Sequence, residues 1–245
     1  MSDDILSLYA YYPSKLLLKS ILARKQMHVT TDGRGTIITW GPCIMLGGEC
    51  SDAMLETLCA LFDDSRNERY IYAPDAGWIQ RMARTTPSHF KEKQLNIYVA
   101  RAASGDARRA EDCIVPVDAN FFGHGYADMS HVTDQLYSYL SREDYLQTGF
   151  GVALVKDNAI RGYCLSEYSI DAECGVNVWV DDKYRGLGYA KAMTQAFLEA
   201  GERGQWTMYW GCSSDNIASN HVARSCGFTP YAIQPYWLWQ GSQPT

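Results

Sequence analysis

The residues of this sequence best arranged for chemistry run Val176-Asn-Val-Trp-Val180-Asp-Asp-Lys-Tyr-Arg185-Gly-Leu-Gly188-Tyr-Ala190-Lys191. The first five favour a strand, the glycines a tight turn, and the residues beyond them a helix. Such a junction is an anion cradle. Amides of the turn and of the first helical turn lack intrahelical partners, so they can converge on a phosphate, and the helix dipole adds to the attraction. Gly186 and Gly188 allow the backbone a close approach, and Ala190 keeps the next position small. Downstream, Asn216 is placed to cap a further helix that ends at Cys226-Gly227-Phe228.

Strand, glycine turn and helix also make up the nucleotide fingerprints, but their spacings, G-x-G-x-x-G and G-x-x-x-x-G-K-[ST], do not occur at this turn. Arg185-x-x-Gly188-x-Ala190 instead resembles the pyrophosphate-binding signature of the GNAT superfamily of N-acetyltransferases. Asn216-x-x-Ser219, followed by Gly227-Phe228, resembles the fourth-helix motif of the same superfamily, whose Asn contacts the pantetheine or pyrophosphate side of the cofactor. Within the superfamily the chain is similar to zwittermicin-resistance-type acetyltransferases. That likeness rests on Tyr145-Leu-Gln-Thr-Gly-Phe-Gly151, Tyr184-Arg-Gly-Leu-Gly188 and Trp210-x-Cys212, and extends weakly to the N-terminal half.

The resemblance implies an α/β protein: a GNAT fold, with a mixed, mostly antiparallel central sheet flanked by helices, over residues 118–245. A smaller, divergent α/β region would occupy residues 1–110. It implies acetyl-CoA as co-substrate, no metal, and a small-molecule primary amine as acceptor, such as an antibiotic-like aminopolyol or amino sugar. Protein or peptide N-acetylation, and a silent acyl-CoA sensor, are the alternatives. Backbone groups of Val178, Trp179 and Val180 would bind pantetheine as an added strand, with an N–H near Val178 polarising the thioester oxygen. Arg185, Gly186, Leu187, Gly188, Tyr189, Ala190 and Lys191 would hold the pyrophosphate, with Asn216 and Ser219 completing the cofactor site.

Attack of an amine on a thioester also needs a base for the amine and an acid for the thiolate. Glu173, which begins the strand expected to hold the thioester, is the first choice of base. Strand alternation weakens it, since it shares a face with Trp179 rather than Val178. Glu167, at the end of the preceding strand, is the alternative, and either carboxylate could act directly or through water. Where many members carry a general-acid Tyr on the last helix, this chain has Ala223, which leaves Tyr231 or Tyr236 as donors. His221 reads as a surface or packing residue, and His124 and His131 as possible acceptor-side groups.

The elements that must position these groups follow from periodicity. In the first half, Pro13–Lys25 has helical spacing at Leu16, Leu17, Ile21 and Leu22, and Met27–Thr31 and Thr36–Trp40 form a hairpin across Gly33-Arg-Gly35. Ser51 or Asp52 caps a helix through Met54, Leu55, Leu58, Leu61 and Phe62, Tyr70–Tyr72 is a strand, and Asp75 caps a helix to Ala83. Leu95–Val99 is another strand, and Ala102–Asp112 is a linker candidate. The second half reads as short helices over Ser130–Leu140 and Ser141–Gln147. Strands follow at Phe150–Val155 and Ile160–Tyr168, joined at Lys156-Asp-Asn158, then at Cys174–Val180 and Trp206–Trp210, and the aromatic tail Tyr231–Trp239 completes them.

Bulk properties narrow the class. Hydrophobic residues make up 47% and charged residues 20%, the profile of a chain with a sizeable core. A net charge of −6 disfavours a nucleic-acid partner and admits a cationic substrate. No apolar run suggests a membrane span or a secretory signal, which points to a cytoplasmic monomer or homodimer. The eight cysteines lack metal-ligand or C-x-x-C spacing and read as free thiols.

Overall fold

The computed structural model describes residues 15–25, 27–63, 68–73, 76–85, 90–101 and 113–240. Pro13, Asp75 and the linker candidate Ala102–Asp112 lie outside them. Contacts divide the described chain into one unit drawn from Met1–Leu95 and Ile233–Thr245 and another formed by Asn96–Ala232. Both are mixed α/β.

In the first unit, α1 (Leu16–Arg24) precedes β1 (His28–Thr31), β2 (Gly35–Trp40) and β3 (Cys43–Gly48). Next come α2 (Asp52–Asp63), β4 (Arg69–Tyr72) and α3 (Ala76–Thr85). The strands β5 (Phe90–Arg101) and β11 (Thr229–Trp239) each contribute one end to this unit. Its sheet runs β1-β2-β3-β4-β11, antiparallel except for the β3–β4 pair. Alternation divides the apolar residues between two faces. Ile37, Ile44 and Leu46 meet Met54, Leu58 and Phe62 of α2 and Trp78 of α3, whereas Ile38 and Met45 meet Leu18 and Ile21 of α1. Each such side chain, fully buried, is worth about 1.5–3 kcal/mol. Ser51 caps α2, accepting the Met54 amide at 3.2 Å. Gly33-Arg-Gly35 closes the β1–β2 hairpin, so no helix N-terminus follows it to hold a phosphate.

The second unit contains β6 (Ile114–Pro116), α4 (Ala119–His124), α5 (Ser130–Thr133) and a 3-10 segment over Asp134–Ser138. It continues through α6 (Arg142–Thr148), β7 (Gly151–Lys156), β8 (Ala159–Ile170) and β9 (Glu173–Val180). A 3-10 turn (Asp182–Tyr184), α7 (Tyr189–Arg203), β10 (Thr207–Ser213) and α8 (Ile217–Ser225) complete it. The sheet order is β5-β10-β9-β8-β7-β6, with β6 to β9 antiparallel and β9–β10 parallel. The β7–β8 hairpin is a two-residue turn. Asp157 and Asn158 both have positive φ, 51° and 56°, the type I′ geometry that matches the twist of the strands.

One face of this sheet packs Cys174, Val176 and Val180 of β9 against Met193 and Phe197 of α7. The other carries Tyr163, Leu165 and Trp179 under α4, α5 and α6. The span expected to be one helix from Ser130 to Leu140 tightens after its first turn. The 3-10 winding over Asp134–Ser138 turns Leu136 inward, and just past its end the extended Tyr139 is buried, its hydroxyl reaching Ser166 Oγ at 2.7 Å and Ser169 Oγ at 2.8 Å.

Beside it, Tyr145 is fully buried, edge-on to Tyr139, and its hydroxyl has no hydrogen-bond partner among the described residues. An unpaired buried hydroxyl costs about 1–3 kcal/mol. Tyr145→Phe keeps the ring and removes that cost, so urea unfolding should show a variant about 1 kcal/mol more stable. A loss of stability would mean that the hydroxyl is bonded in solution.

Candidate active site

The defining feature of the second unit is an incomplete ladder. β9 pairs along its length with β8, from Glu173 to Val180. On its other edge the parallel ladder with β10 consists of three pairs, Thr207↔Glu173, Met208↔Cys174 and Tyr209↔Gly175. Both strands continue beyond that point, β9 to Val180 and β10 to Ser213, without a further pair. The first residue of β10 past the last pair is Trp210, whose buried indole lies edge-on to Phe228 and donates to Ser219 Oγ at 3.0 Å. The fork so formed opens into a cavity of about 670 Å³, lined by Val178, Trp179 and Val180 on one side and Trp210 on the other.

The open end of the fork is closed by the glycine turn. Asp181 accepts the Lys183 amide at 3.0 Å. Arg185 braces the turn, donating from Nε to the Val180 carbonyl at 3.1 Å and pairing with Asp182 at 2.8 Å. Gly186 and Gly188 have φ of +75° and +88°, the left-handed region that glycine enters without steric cost. Nothing lies within 4 Å of a Cβ built on either. Gly188 is the N-cap of α7, and the first intrahelical bond is Ala192 N–H to its carbonyl, at 3.0 Å. The amides of Gly188, Tyr189, Ala190 and Lys191 therefore have no intrahelical acceptor. Arg185, Gly186, Gly188, Tyr189, Ala190 and Lys191 all line the cavity, while the exposed Leu187 side chain does not.

The far wall is α8. Asn216 caps it, accepting the Ser219 amide at 3.1 Å, and both residues line the cavity. Capping and cavity lining coexist in Asn216. His221 also lines the cavity while remaining exposed. Sequence reasoning missed Asn220, whose side chain is 2% exposed and fully engaged. Its Nδ2 donates to the carbonyls of Ser213 and Asn216 at 2.9 and 2.8 Å. Its Oδ1 accepts from Asn96 Nδ2 at 2.8 Å and from the Tyr98 hydroxyl at 2.6 Å. These bonds fix the β10–α8 turn to β5. Ala223 is fully buried and has no proton to give.

At the closed end, three residues stand in register across three strands: Glu167 on β8, Gly175 on β9 and Tyr209 on β10. Glu167 is half-buried, and burial pushes its carboxyl up to about 7, against a weak 3.4 Å bond from the Tyr137 hydroxyl. Glu173 accepts a 2.9 Å bond from the Tyr209 hydroxyl. Burial, and then that bond, raise the Tyr209 phenol to about 12. By alternation Glu173 and Gly175 share the face of Trp179, whose ring stacks on Tyr163 and lies 4.4 Å from His131. Asn177, on the same face, donates to Gln135 at 3.2 Å. The β8–β9 irregularity falls between Glu167 and Ile170 on β8 and leaves β9 regular. Tyr231 is exposed, edge-on to Tyr209. Tyr236 belongs to the first unit, where it is buried beside Tyr70 and Tyr72. His124 stacks on Tyr126 at 4.2 Å.

Among the described residues no group of three or more His, Cys, Asp or Glu could hold a metal ion. No disulfide joins any of the eight cysteines. No helix of the described residues is long and apolar enough to cross a membrane.

Residues 29–236 match the profile of a family described as GNAT acetyltransferase. None of the curated proteins compared with the chain matches it. Among solved structures, a GCN5-related N-acetyltransferase-like protein from Streptococcus suis superposes with a TM-score of 0.73 at 16% identity, over 97% of this chain and 98% of that one. A GCN5-related N-acetyltransferase from Kribbella flavida gives 0.63 at 10% identity, over 93% and 94%. A tandem GNAT protein from the clavulanic acid biosynthesis pathway gives 0.55 at 13%, over 96% and 90%. At these identities the likeness is one of fold.

Proposed function

The chain belongs to the GNAT acetyltransferase family, and from that premise we propose that it transfers an acetyl group from acetyl-CoA to the primary amine of a small molecule. One observation carries the reading. The parallel ladder stops at Gly175↔Tyr209, and in register with that last pair stands Glu167, whose carboxyl burial pushes up to about 7. Pantetheine then lies along Val178–Val180 as the missing strand, bonded through backbone groups. The pyrophosphate rests on the amides of the Gly186–Lys191 turn, Leu187 contributing only backbone, and Asn216 and Ser219 border the cofactor from α8. A backbone N–H near Val178 polarises the thioester oxygen.

An alkylammonium arrives protonated and must lose a proton before it can attack. Glu167 attracts the cation and takes that proton. Nitrogen then attacks the thioester carbon, the C–S bond breaks, the attacking nitrogen sheds its second proton to water, and the coenzyme thiolate takes a proton from Tyr231 or from solvent. Tyr236, buried in the first unit, is not a donor here. The net charge of −6 and the polar Gln135–Asn177 pair on the Glu167 face suit a cationic, hydroxyl-rich acceptor such as an aminopolyol or amino sugar. The likeness to zwittermicin-resistance proteins points the same way. We propose that catalysis resides in the unit Asn96–Ala232, in place of the 118–245 boundary expected from the sequence, in a cytoplasmic monomer or homodimer.

Ala223, where a proton donor is common in the superfamily, favours a second reading: an acyl-CoA sensor that binds without turnover. Release of free thiol from acetyl-CoA, measured across a panel of amino sugars, aminopolyols and peptides, separates the two. Turnover with a small amine is the expected result. Tight acetyl-CoA binding with no thiol release from any amine would leave the sensor, and peptide-only turnover would move the acceptor class.

A further inference from the structure

The geometry assigns Gly175 a positioning role: by carrying no side chain it gives Glu167 the room to lie across β9 at the closed end of the fork. The inference rests on Glu167 being the base. Gly175 is the middle of the row Glu167–Gly175–Tyr209, and residues paired this way point to one face of the sheet. Any other residue at the centre would fill the gap between the two flanking side chains.

The atoms closest to that gap all belong to Glu167. A Cβ built on Gly175 would lie 2.8 Å from Glu167 Cγ, 3.1 Å from Oε1 and 3.4 Å from Cδ, and these are the three nearest heavy atoms. The carboxylate is thus folded over the Gly175 Cα. Backbone conformation does not call for glycine here, because the positive-φ glycines are elsewhere. Glycine inside a strand weakens it and marks a place where something approaches closely. Here that something is a carboxylate, and the place is the last paired residue before the cavity. Titratable groups on the elements around Glu167 include Tyr137 and Asp134 of the 3-10 segment, Arg161, Tyr163, Cys164 and Tyr168 on its own strand, Cys174 and Glu173 on β9, Tyr209 and Cys212 on β10 and His131 on α5. None of them forms an ion pair with Glu167 among the described residues. Its position therefore depends on the space above Gly175 rather than on a cationic anchor.

Gly175→Ala tests this. The added methyl displaces Glu167 towards solvent, so kcat should fall at least tenfold and the acidic limb of the kcat/KM profile should move from near 7 towards the ordinary carboxylate range. Affinity for acetyl-CoA should not change. Adding Glu167→Gln to Gly175→Ala should cost nothing beyond Glu167→Gln alone. If Glu167→Gln abolishes the limb but Gly175→Ala keeps the wild-type kcat and limb, the positioning role is wrong and the base assignment survives. If Glu167→Gln itself keeps the limb, the base assignment is what fails. A folded Gly175→Ala with low kcat and an unmoved limb reduces Gly175 to packing and overturns the inference. Should Gly175→Ala fail to fold, Glu167→Ala in the same chain should restore folding, because all three close contacts belong to Glu167. Absence of that rescue also overturns it.

Discussion

Replacing Glu167 by Gln should lower kcat by about 10²–10⁴-fold, the usual contribution of general acid–base catalysis, with acetyl-CoA affinity unchanged. Gln keeps the shape of the neutral carboxyl and cannot take a proton. In the native protein burial holds Glu167 at about 7 against a reference of 4.5, so the basic form accumulates as pH rises through neutrality. The kcat/KM profile should climb from pH 6 to 8 and level off, and the climb should vanish in the variant. Stability moves the opposite way. A carboxyl that holds its proton more tightly when folded stabilises the fold fully below the unfolded value near 4.5, and that contribution is lost as pH rises to about 7. Glu167→Gln should therefore match the native protein at pH 4 and exceed its melting temperature at pH 8. A Gln variant with native kcat and an intact limb would move the base to Glu173, whose own Gln variant then becomes the decisive one, or to water.

Gly188→Val is expected to weaken acetyl-CoA binding at least about tenfold in a protein that still folds. At φ +88° an L-residue is strained, by roughly 1–2 kcal/mol and more when β-branched. Each 1.4 kcal/mol is worth about a factor of ten in affinity. The surroundings of the Cβ are open, so the substitution meets no wall of protein and the core is untouched. Relief of the strain re-aims the amides of Gly188–Lys191, the groups that should hold the pyrophosphate. Calorimetric titration with acetyl-CoA, alongside circular dichroism for folding, reads both halves of the expectation. Native affinity in a folded Gly188→Val would remove the glycine turn from the cofactor site.

How much of this was legible in the sequence depends on the range of the interactions. Local signals read well: the Lys156-Asp-Asn158 turn, the Ser51 cap, the glycine turn opening α7 and the Asn216 cap all follow from neighbours in the chain. Alternation along β9 placed Glu173 on the Trp179 face, where it lies. Long-range facts were invisible. Asn220 is held by Asn96 and Tyr98, far away in sequence, and nothing in the run Asn216–Ser225 distinguishes it from a surface amide. The end of the β9–β10 ladder depends on which residues of two separate strands come into register. The raised carboxyl of Glu167 depends on what covers it. The 3-10 winding after Thr133 ends at Tyr139, whose hydroxyl bonds to Ser166 and Ser169, partners that no local period reveals.

The interrupted ladder also bears on how long the protein survives. Along Val176–Val180 one edge of β9 belongs to the sheet and the other to whatever fills the cavity, so this seam is a weak point through which local opening can spread. A ligand that bonds there recognises only the folded chain. At a hundred times its dissociation constant it adds about 2.7 kcal/mol to the cost of unfolding. Amides on the free edge should then exchange their hydrogens far more slowly, and proteases that act on the opened chain should find less of it. The supply of coenzyme would in this way set the lifetime of the enzyme as well as its rate.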